Sequence, residues 1–277
     1  MRTEIKSVAD YLGWVKRMHN ITNDESGLQF EQSRIYYRGQ ASESWKLTPS
    51  LFREENKGLD EYRLLEMAQK RLWHELRVFD SYLNRLVFLQ HYGLPTRLLD
   101  VTSNPLVALY FACSDYKQNN GVVYCTYEKY DNLSLIENLA KYVFTTNFSR
   151  IGILEGVPQI DLYESRGDAF FEEQYMMPFF CIPPSSNQRI IQQNGAFIMA
   201  PLLSARPKDL GKLPMFNGEL KNIFDERVAV IPHEYKESVK NELYEYGIDK
   251  GTLFVDVPSI IESIVENGRN RALRLDV

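Results

Sequence analysis

The sequence has few of the residues that mark metal, disulfide and cofactor sites. Of its 277 residues, three are cysteines and four are histidines, and neither group has the spacing of a ligand set. The sequence contains no HExxH, CxxC, GxGxxG, GxSxG or Walker motif. No metal is therefore expected, and the cofactor stays unknown at this stage. The three thiols are expected to be reduced and buried in a cytoplasmic protein.

The chain also lacks long apolar runs and an excess of positive charge. No window has 18 consecutive apolar residues, and the first 18 residues alternate charged and apolar types. Neither a transmembrane helix nor a signal peptide is predicted. The formal net charge of −5 argues against bulk binding of nucleic acid or of an anionic membrane. The hydrophobic share of 44% suffices for a packed core.

What the sequence does contain is a succession of helical and strand-like segments. Apolar residues at helical spacing predict helices, and these cover residues 8–19, 59–79, 82–91, 105–113, 133–143 and 233–247. β-branched and aromatic composition predicts strands, and these cover residues 34–40, 122–127, 196–200 and 227–232, with a strand-like piece in TLFVDV. Residues 145–184 are irregular and aromatic, as in an insertion or a lid. We expect an α+β domain with a compact mixed sheet flanked by helices over residues 31–277, after a helical extension over residues 1–30.

The stretch YYRGQ, residues 36–40, is the first candidate for a binding site. Arg38 ends a predicted strand next to Gly39, where the main chain can approach a ligand closely. Its five-donor guanidinium suits a phosphate, a pyrophosphate or a ribose. Alternatively, Arg38 pairs with a carboxylate such as that of Asp100 and has a structural role.

The second candidate is LQHYGLPTRLLDVTSNPLVALYFAC, residues 89–113. Ser103 or Asn104 can cap a helix that begins at Pro105, and the apolar run that follows is expected in the core. The cap does not account for Asp100 and Thr102. These two residues indicate the wall of a pocket.

The ligand of such a pocket depends on its charge balance. A helix N-terminus favours an anion, whereas Asp100 would repel an anion unless Arg38 or Arg97 neutralises it. The sequence therefore leaves open whether the pocket binds hydroxyl groups or a phosphate.

The third candidate is QRIIQQNGAFI, residues 188–198. Arg189 and Gln193 lie beside a glycine turn into a strand; a glutamine can bond to a ribose hydroxyl but cannot act as a general base. Alternatively, these side chains only satisfy the main chain of the turn. His91 is a lone histidine that is either a structural donor or a base at neutral pH.

Four stretches of the chain together resemble the FRG domain family, which is named for a Phe-Arg-Gly tripeptide and is widespread in bacteria and phage-related elements. They are YYRGQ, LQHYGLPTRLLDVTSNPLVALYFA, QRIIQQNGAFI and YKESVKNELYEYGIDKGTLFVDV. The second stretch is the most specific. Tyr37 replaces the phenylalanine of the tripeptide and keeps an aromatic ring. The resemblance extends over about residues 34–266.

The order of these motifs also resembles, more distantly, the ADP-ribosyltransferase pattern. That pattern has an arginine on an early strand, hydroxyls on a middle strand before a helix, and an acid or glutamine on a later strand. The resemblance implies an NAD-dependent transferase or glycohydrolase, acting as an effector in bacterial defence or toxin systems. NAD is then the candidate cofactor, and a nucleotide-like small molecule is the expected partner.

Carried onto this sequence, the resemblance assigns Arg38 to the NAD phosphates or ribose and Thr102 or Ser103 to the nicotinamide ribose. Tyr110 would pack on a ring, and Gln193 would take the catalytic position. Most such transferases have a glutamate there, and its absence would remove electrostatic stabilisation of the transition state. Either Asp100 or another acid compensates, or the fold binds a ligand without transferring a group.

The predicted site thus comprises two sets of residues. The catalytic candidates are Arg38, Asp100 and Gln193. The substrate-binding candidates are Gln40, His91, Arg97, Thr102, Ser103, Tyr110 and Arg189. The alternative function is a non-catalytic recognition module for a nucleotide, a nucleic acid or a protein partner.

Overall fold

A seven-stranded mixed sheet organises the chain. The computed structural model describes residues 2–25, 34–114, 118–127, 133–147, 175–182, 188–204 and 215–254. Its strands are β1 (Arg2–Glu4), β2 (Ile35–Gln40), β3 (Leu98–Thr102), β4 (Gly121–Tyr127), β5 (Phe179–Cys181), β6 (Gly195–Met199) and β7 (Val228–Ile231). They lie in the order β1-β7-β4-β2-β3-β6-β5, and β1 pairs with β7 in parallel while the other neighbours are antiparallel. The predicted α+β class with a mixed sheet is confirmed.

Helices pack on this sheet. They are α1 (Val8–Glu25), α2 (Glu61–Arg71), α3 (Trp73–Leu76), α4 (Tyr82–His91), α5 (Pro105–Cys113), α6 (Leu133–Thr145), α7 (Gln188–Gln192), α8 (Lys236–Glu245) and α9 (Lys250–Leu253). In the described part of the chain, none of them has the length and apolar character that crossing a bilayer requires. The three cysteines are buried and unbridged, as expected.

The bounds of α4 and α5 agree with the sequence because local capping defines both helices. Ser81 accepts a hydrogen bond from the Asn84 amide at the start of α4. Asn104 accepts one from the Leu106 amide, and Pro105 takes the first helical position. A side-chain acceptor at the N-cap satisfies an amide that has no partner inside the helix.

The predicted helix over residues 59–79 is wrong in one respect, because it is broken at Leu72. That residue has φ −115° and ψ 32°, outside the helical region. The break lets both Leu65 and Leu76 enter the core, where they are 1% and 2% exposed, and leaves Leu72 at the surface.

The C-terminal prediction also needs correction. Residues at the start of the expected strand-like piece form α9, since Asp249 accepts from the amides of Gly251 and Thr252 and completes a capping box. The edge strands β1 and β5 were not predicted. Most of the predicted insertion or lid at residues 145–184 lies outside the described residues.

The N-terminal segment is continuous with the main sheet and core. β1 pairs with β7, and Tyr11 and Trp14 of α1 are buried against residues of β2 and α5. The division into residues 1–30 and 31–277 stays a prediction.

Helix α5 rests directly on the main chains of β2 and β4. A Cβ added at Gly39 would lie 1.8 Å from the Ala108 carbonyl oxygen, and one at Gly121 would lie 2.2 Å from the Ala112 carbonyl oxygen. Gly39 therefore admits a helix; the close approach of a ligand to Gly39 stays a prediction. Six of the nine residues of α5 are buried, which explains its unbroken apolar sequence.

We predict that Gly39→Ala lowers the free energy of unfolding by about 3 kcal/mol or more, because the new methyl group collides with main-chain atoms that cannot move aside alone. Urea unfolding followed by circular dichroism measures this. Gly13→Ala is the control: its Cβ would meet nothing closer than 3.8 Å, and alanine in a helix should raise stability by about 0.5–1 kcal/mol. An unchanged midpoint for Gly39→Ala would show that α5 does not contact β2 in this way.

Candidate functional site

The sheet opens between β2 and β3, and the opening forms a cleft. β2 pairs with β4 over six positions and β3 pairs with β6 over five, but β2 and β3 pair only at Tyr37 and Thr102. Beyond that pair the two strands border a cavity of about 400 Å³, called here the β2–β3 cleft. Its walls are completed by Ser50 and Arg53, by α4 and α5, and by the segment from α7 to β6.

Arg38 spans the mouth of this opening. Its Nη1 donates to the main-chain oxygen of Asp100 at 2.6 Å, so a side chain replaces the missing strand-to-strand hydrogen bond. The Nε–H of the same guanidinium is buried and has no hydrogen-bond partner among the described residues. Buried donors are nearly always paired, so an unpaired donor at this position is unusual.

The surroundings of Arg38 disfavour the charged form of its guanidinium. Its pKa is lowered to about 10, chiefly because burial disfavours the charged form; the Asp100 charge opposes this effect, and the positive charge of Arg53 adds to it. In the structural interpretation of the sequence, Arg38 pairs with the Asp100 carboxylate. The hydrogen bond between them goes instead to the Asp100 carbonyl.

Asp100 is exposed in the cleft, and one oxygen of its carboxylate accepts a hydrogen bond from a neighbouring side chain. Gln90 Nε2 donates to Asp100 Oδ1 at 2.9 Å, and the Thr96 hydroxyl donates to Gln90 Oε1. Gln90 lies on α4 and Thr96 is buried just before β3. Residue 100 is thus bound through its main chain by Arg38 and through its side chain by Gln90.

Thr102 forms the corner where β3 turns into α5. Its hydroxyl donates to the Gln193 carbonyl at 2.6 Å and accepts from the Asn104 amide at 3.0 Å. The Ser103 amide donates to the Asn194 carbonyl at 3.1 Å, which joins the same two segments. Thr102 lines the cleft, and its hydroxyl bonds to the main chain of both segments.

The segment from α7 to β6 forms another wall of the cleft. The Arg189 guanidinium lies 4.8 Å from the centroid of the Phe254 ring, and Phe254 packs edge-on against Phe111 at 6.1 Å. Gln193 Nε2 donates to the Leu253 carbonyl at 3.1 Å, so this amide is anchored to α9. His91 also lines the cleft.

Six of the ten predicted site residues line the β2–β3 cleft, and four lie elsewhere. Those in the cleft are Arg38, His91, Asp100, Thr102, Arg189 and Gln193. Gln40 is buried and donates to the Lys46 carbonyl at 3.3 Å. The Ser103 hydroxyl meets the Asn194 carbonyl at the limiting distance of 3.5 Å. Neither residue lines the cleft.

Arg97 and Tyr110 also lie outside the cleft, each for a clear reason. Arg97 is 1% exposed and forms a two-pronged ion pair with Glu61, while its Nη1 donates to two main-chain carbonyls. Tyr110 is buried on the side of α5 that faces α8, with the Lys240 ammonium 5.9 Å from its ring centroid. A role for either residue in contacting a ligand stays a prediction that the geometry does not favour.

Arg53, Gln90 and Phe111 are among the cleft residues that the sequence-based prediction missed. Phe111 follows Val107 by four positions, and this helical spacing puts both in the cleft wall. Gln90 lies in the same motif as Asp100, but only the fold shows that they bond. Nothing in the sequence around Arg53 distinguishes it from other surface arginines.

Charged side chains make the cleft predominantly positive. Arg38, Arg53 and Arg189 line it, and Asp100 is the acid among the described lining residues. The whole chain, in contrast, carries a net charge of −5. Among the described residues no three histidine, cysteine or acidic side chains are grouped so that they could hold a metal ion. The chemistry that this arrangement offers is the binding of an anion beside a fixed carboxylate.

We predict that Thr102→Val lowers the free energy of unfolding by about 1–3 kcal/mol, because it leaves a carbonyl and an amide without their partner. The adjacent Ser103→Ala removes only a marginal contact and should change stability by less than about 0.5 kcal/mol. Chemical denaturation of the two variants gives the comparison. Equal effects at the two positions would contradict the corner geometry.

The chain was compared with families, with curated proteins and with solved structures. The model of the FRG domain matches residues 33–121, a range that contains β2, β3, α5 and the stretches YYRGQ and LQHYGLPTRLLDVTSNPLVALYFAC. The two later stretches of the resemblance lie outside it. The curated proteins gave no significant match, and the solved structures gave none. Residues 33–121, which supply Arg38, Gln90 and Asp100 to the cleft, therefore form a domain of the FRG family.

Proposed function

We propose that the β2–β3 cleft binds a small, anionic, nucleotide-like molecule, with Arg38 as the principal anion-binding residue. The observation that carries the proposal is the buried Nε–H of Arg38, for which the described part of the chain offers no acceptor. An unsatisfied buried donor costs about 1–3 kcal/mol, and more when the group is charged. A ligand oxygen at this nitrogen would remove that cost.

The neighbouring charges support an anion in particular. Arg38 feels the positive charge of Arg53, which contributes to its lowered pKa, and Arg189 lines the same cleft. An anion among these arginines would offset the repulsion between their charges and raise the pKa of Arg38 towards its ordinary value. A concave site with one sign of charge also concentrates ligands of the opposite sign.

The size and lining of the cleft fit a nucleotide-sized ligand. Its volume of about 400 Å³ lies within the range of about 300–1,000 Å³ that is typical of small-molecule sites. Phe111 and Ile190 contribute apolar surface, which a base or another planar ring can cover. The anion-binding and apolar parts thus lie in one cavity, as a nucleotide requires.

A second candidate function is that of an NAD-consuming effector, and Asp100 is the observation that favours it. Hydrolysis of the nicotinamide–ribose bond would release nicotinamide and ADP-ribose, with water supplying the new oxygen. Asp100 is the carboxylate that faces the cleft among the described lining residues. It would replace the glutamate whose expected position is taken by Gln193, an uncharged side chain anchored to Leu253. Binding without turnover requires neither a catalytic carboxylate nor a reacting water molecule, so we rank the binding function first.

We predict that Arg38→Gln weakens the binding of NAD, ADP-ribose and AMP by about 10- to 100-fold, the range expected when a hydrogen bond to a charged group is lost. Isothermal titration calorimetry of wild type and variant measures this directly. Arg77→Gln is the matched control, because Arg77 is exposed and does not line the cleft.

The two candidate functions separate in the same samples. Nicotinamide release from NAD, lost in Arg38→Gln but kept in Arg77→Gln, would establish the enzyme. Binding without release would establish the recognition module. If a folded wild-type protein binds none of the three ligands, or if Arg38→Gln binds them as wild type does, the proposed function is wrong.

A further inference from the structure

We infer that Asp100, positioned by Gln90 and Thr96, accepts a hydrogen bond from a sugar hydroxyl of the ligand, so that the cleft selects phosphorylated sugars with vicinal hydroxyls over their deoxy analogues. The inference rests on the proposed anion-binding function and specifies the ligand class further. Asp100 is here a specificity-determining residue, and Gln90 and Thr96 are positioning residues.

A directional series of hydrogen bonds leads to the carboxylate. The Leu98 amide donates to Thr96 Oγ1 at 3.2 Å, which commits the hydroxyl proton of Thr96 to another acceptor. That acceptor is Gln90 Oε1. The amide of Gln90 is thereby oriented with Nε2 towards Asp100 Oδ1, at 2.9 Å. The opposite orientation would place the amide oxygen of Gln90 against the Asp100 carboxylate, so that two acceptors would meet, and would take away the acceptor of the Thr96 hydroxyl proton.

This arrangement fixes one oxygen of Asp100 and leaves the carboxylate exposed to the cleft. An ionised carboxylate only accepts hydrogen bonds, and it has about four lone-pair sites. Gln90 uses one of them. The remaining capacity faces a cavity in which a ligand is proposed to bind, so the complementary ligand group is a donor.

The position of a negative charge in a cation-lined cleft supports the same conclusion. If the ligand were a simple anion, Asp100 would repel it and weaken binding. Arg38 and Asp100 are nonetheless joined, because Nη1 of Arg38 bonds to the main-chain oxygen of Asp100 at 2.6 Å. The anion-binding and donor-binding groups are therefore adjacent. A ligand that satisfies both carries a phosphate and hydroxyl groups on one small framework.

Nucleotides and free sugar phosphates share this chemistry, and the apolar wall at Phe111 distinguishes them. A base can cover that ring, whereas a sugar phosphate cannot. AMP should therefore bind more tightly than ribose 5-phosphate if the ligand is a nucleotide, and the two should bind equally if it is a sugar phosphate.

The test compares AMP with 2′,3′-dideoxy-AMP, and ribose 5-phosphate with phosphate alone, by calorimetry at one fixed salt concentration. Wild type should bind AMP about 10- to 100-fold more tightly than its dideoxy analogue, as expected for hydrogen bonds to a charged acceptor. Asp100→Asn should abolish this preference. It should not weaken the binding of phosphate, since a negative charge beside Arg38 is removed.

The role of the positioning residues is measured by the hydroxyl preference, which is the affinity for AMP relative to that for its dideoxy analogue. A residue with a purely structural role would not change this ratio. Thr96→Val should reduce the hydroxyl preference towards unity, whereas Thr96→Ser, which keeps the hydroxyl, should retain it. Gln90→Glu should act like Thr96→Val, because it places an acceptor against Asp100. Asp80→Asn is the control, an exposed aspartate outside the cleft.

The outcomes separate this inference from the proposed function. If AMP and its dideoxy analogue bind wild type equally and Arg38→Gln weakens both, the cleft binds anions but Asp100 does not select hydroxyls, and the inference is overturned. If the preference survives in Asp100→Asn, another group reads the hydroxyls and the inference is again overturned. If wild type binds no phosphate compound, both fail together.

Discussion

The contact between the main chains of α5 and β2 at Gly39 is the constraint on which the rest of the structure depends. It fixes α5 across β2 and β4, where a side chain at Gly39 or Gly121 would collide with the helix. Because α5 follows β3 after the Thr102 corner, the end of β3 is held beside Tyr37 of β2. The strands separate beyond that point. The cleft is thus a consequence of how one apolar helix packs on two glycines.

An opening in a sheet exposes main-chain groups that need hydrogen-bond partners. Arg38 is the partner of one such group, the Asp100 carbonyl. Its guanidinium therefore has a structural contact at Asp100 and, in the same cleft, an Nε–H that no group of the described residues pairs. The two interpretations that the sequence left open, a structural arginine and a ligand-binding arginine, are compatible because different nitrogens serve them. Asp100 also makes two separate contacts: its carbonyl accepts a hydrogen bond from Arg38, and its carboxylate accepts one from Gln90.

Much of the fold was predictable, since local chemistry determines it. The capped helices α4 and α5 and the strand β2 follow from residues within a few positions of each other. Edge strands of three residues, such as β1 and β5, carry too little pattern to detect. The sequence-based prediction named Arg38 and Asp100, which line the cleft. It also named Tyr110, whereas the neighbouring Phe111 is the residue that lines the cleft. A helix that is apolar on all sides has no polar face to show which side is open.

The central claim is that Arg38 keeps a buried donor for an anionic ligand. NMR observation of the arginine Nε–H groups, with the Arg38 signal assigned by its loss in Arg38→Lys, tests it most directly. The account predicts that saturating AMP shifts the Arg38 Nε–H signal downfield and slows its exchange with water, because the proton gains an acceptor. Binding of AMP with an unchanged Arg38 signal would contradict the account.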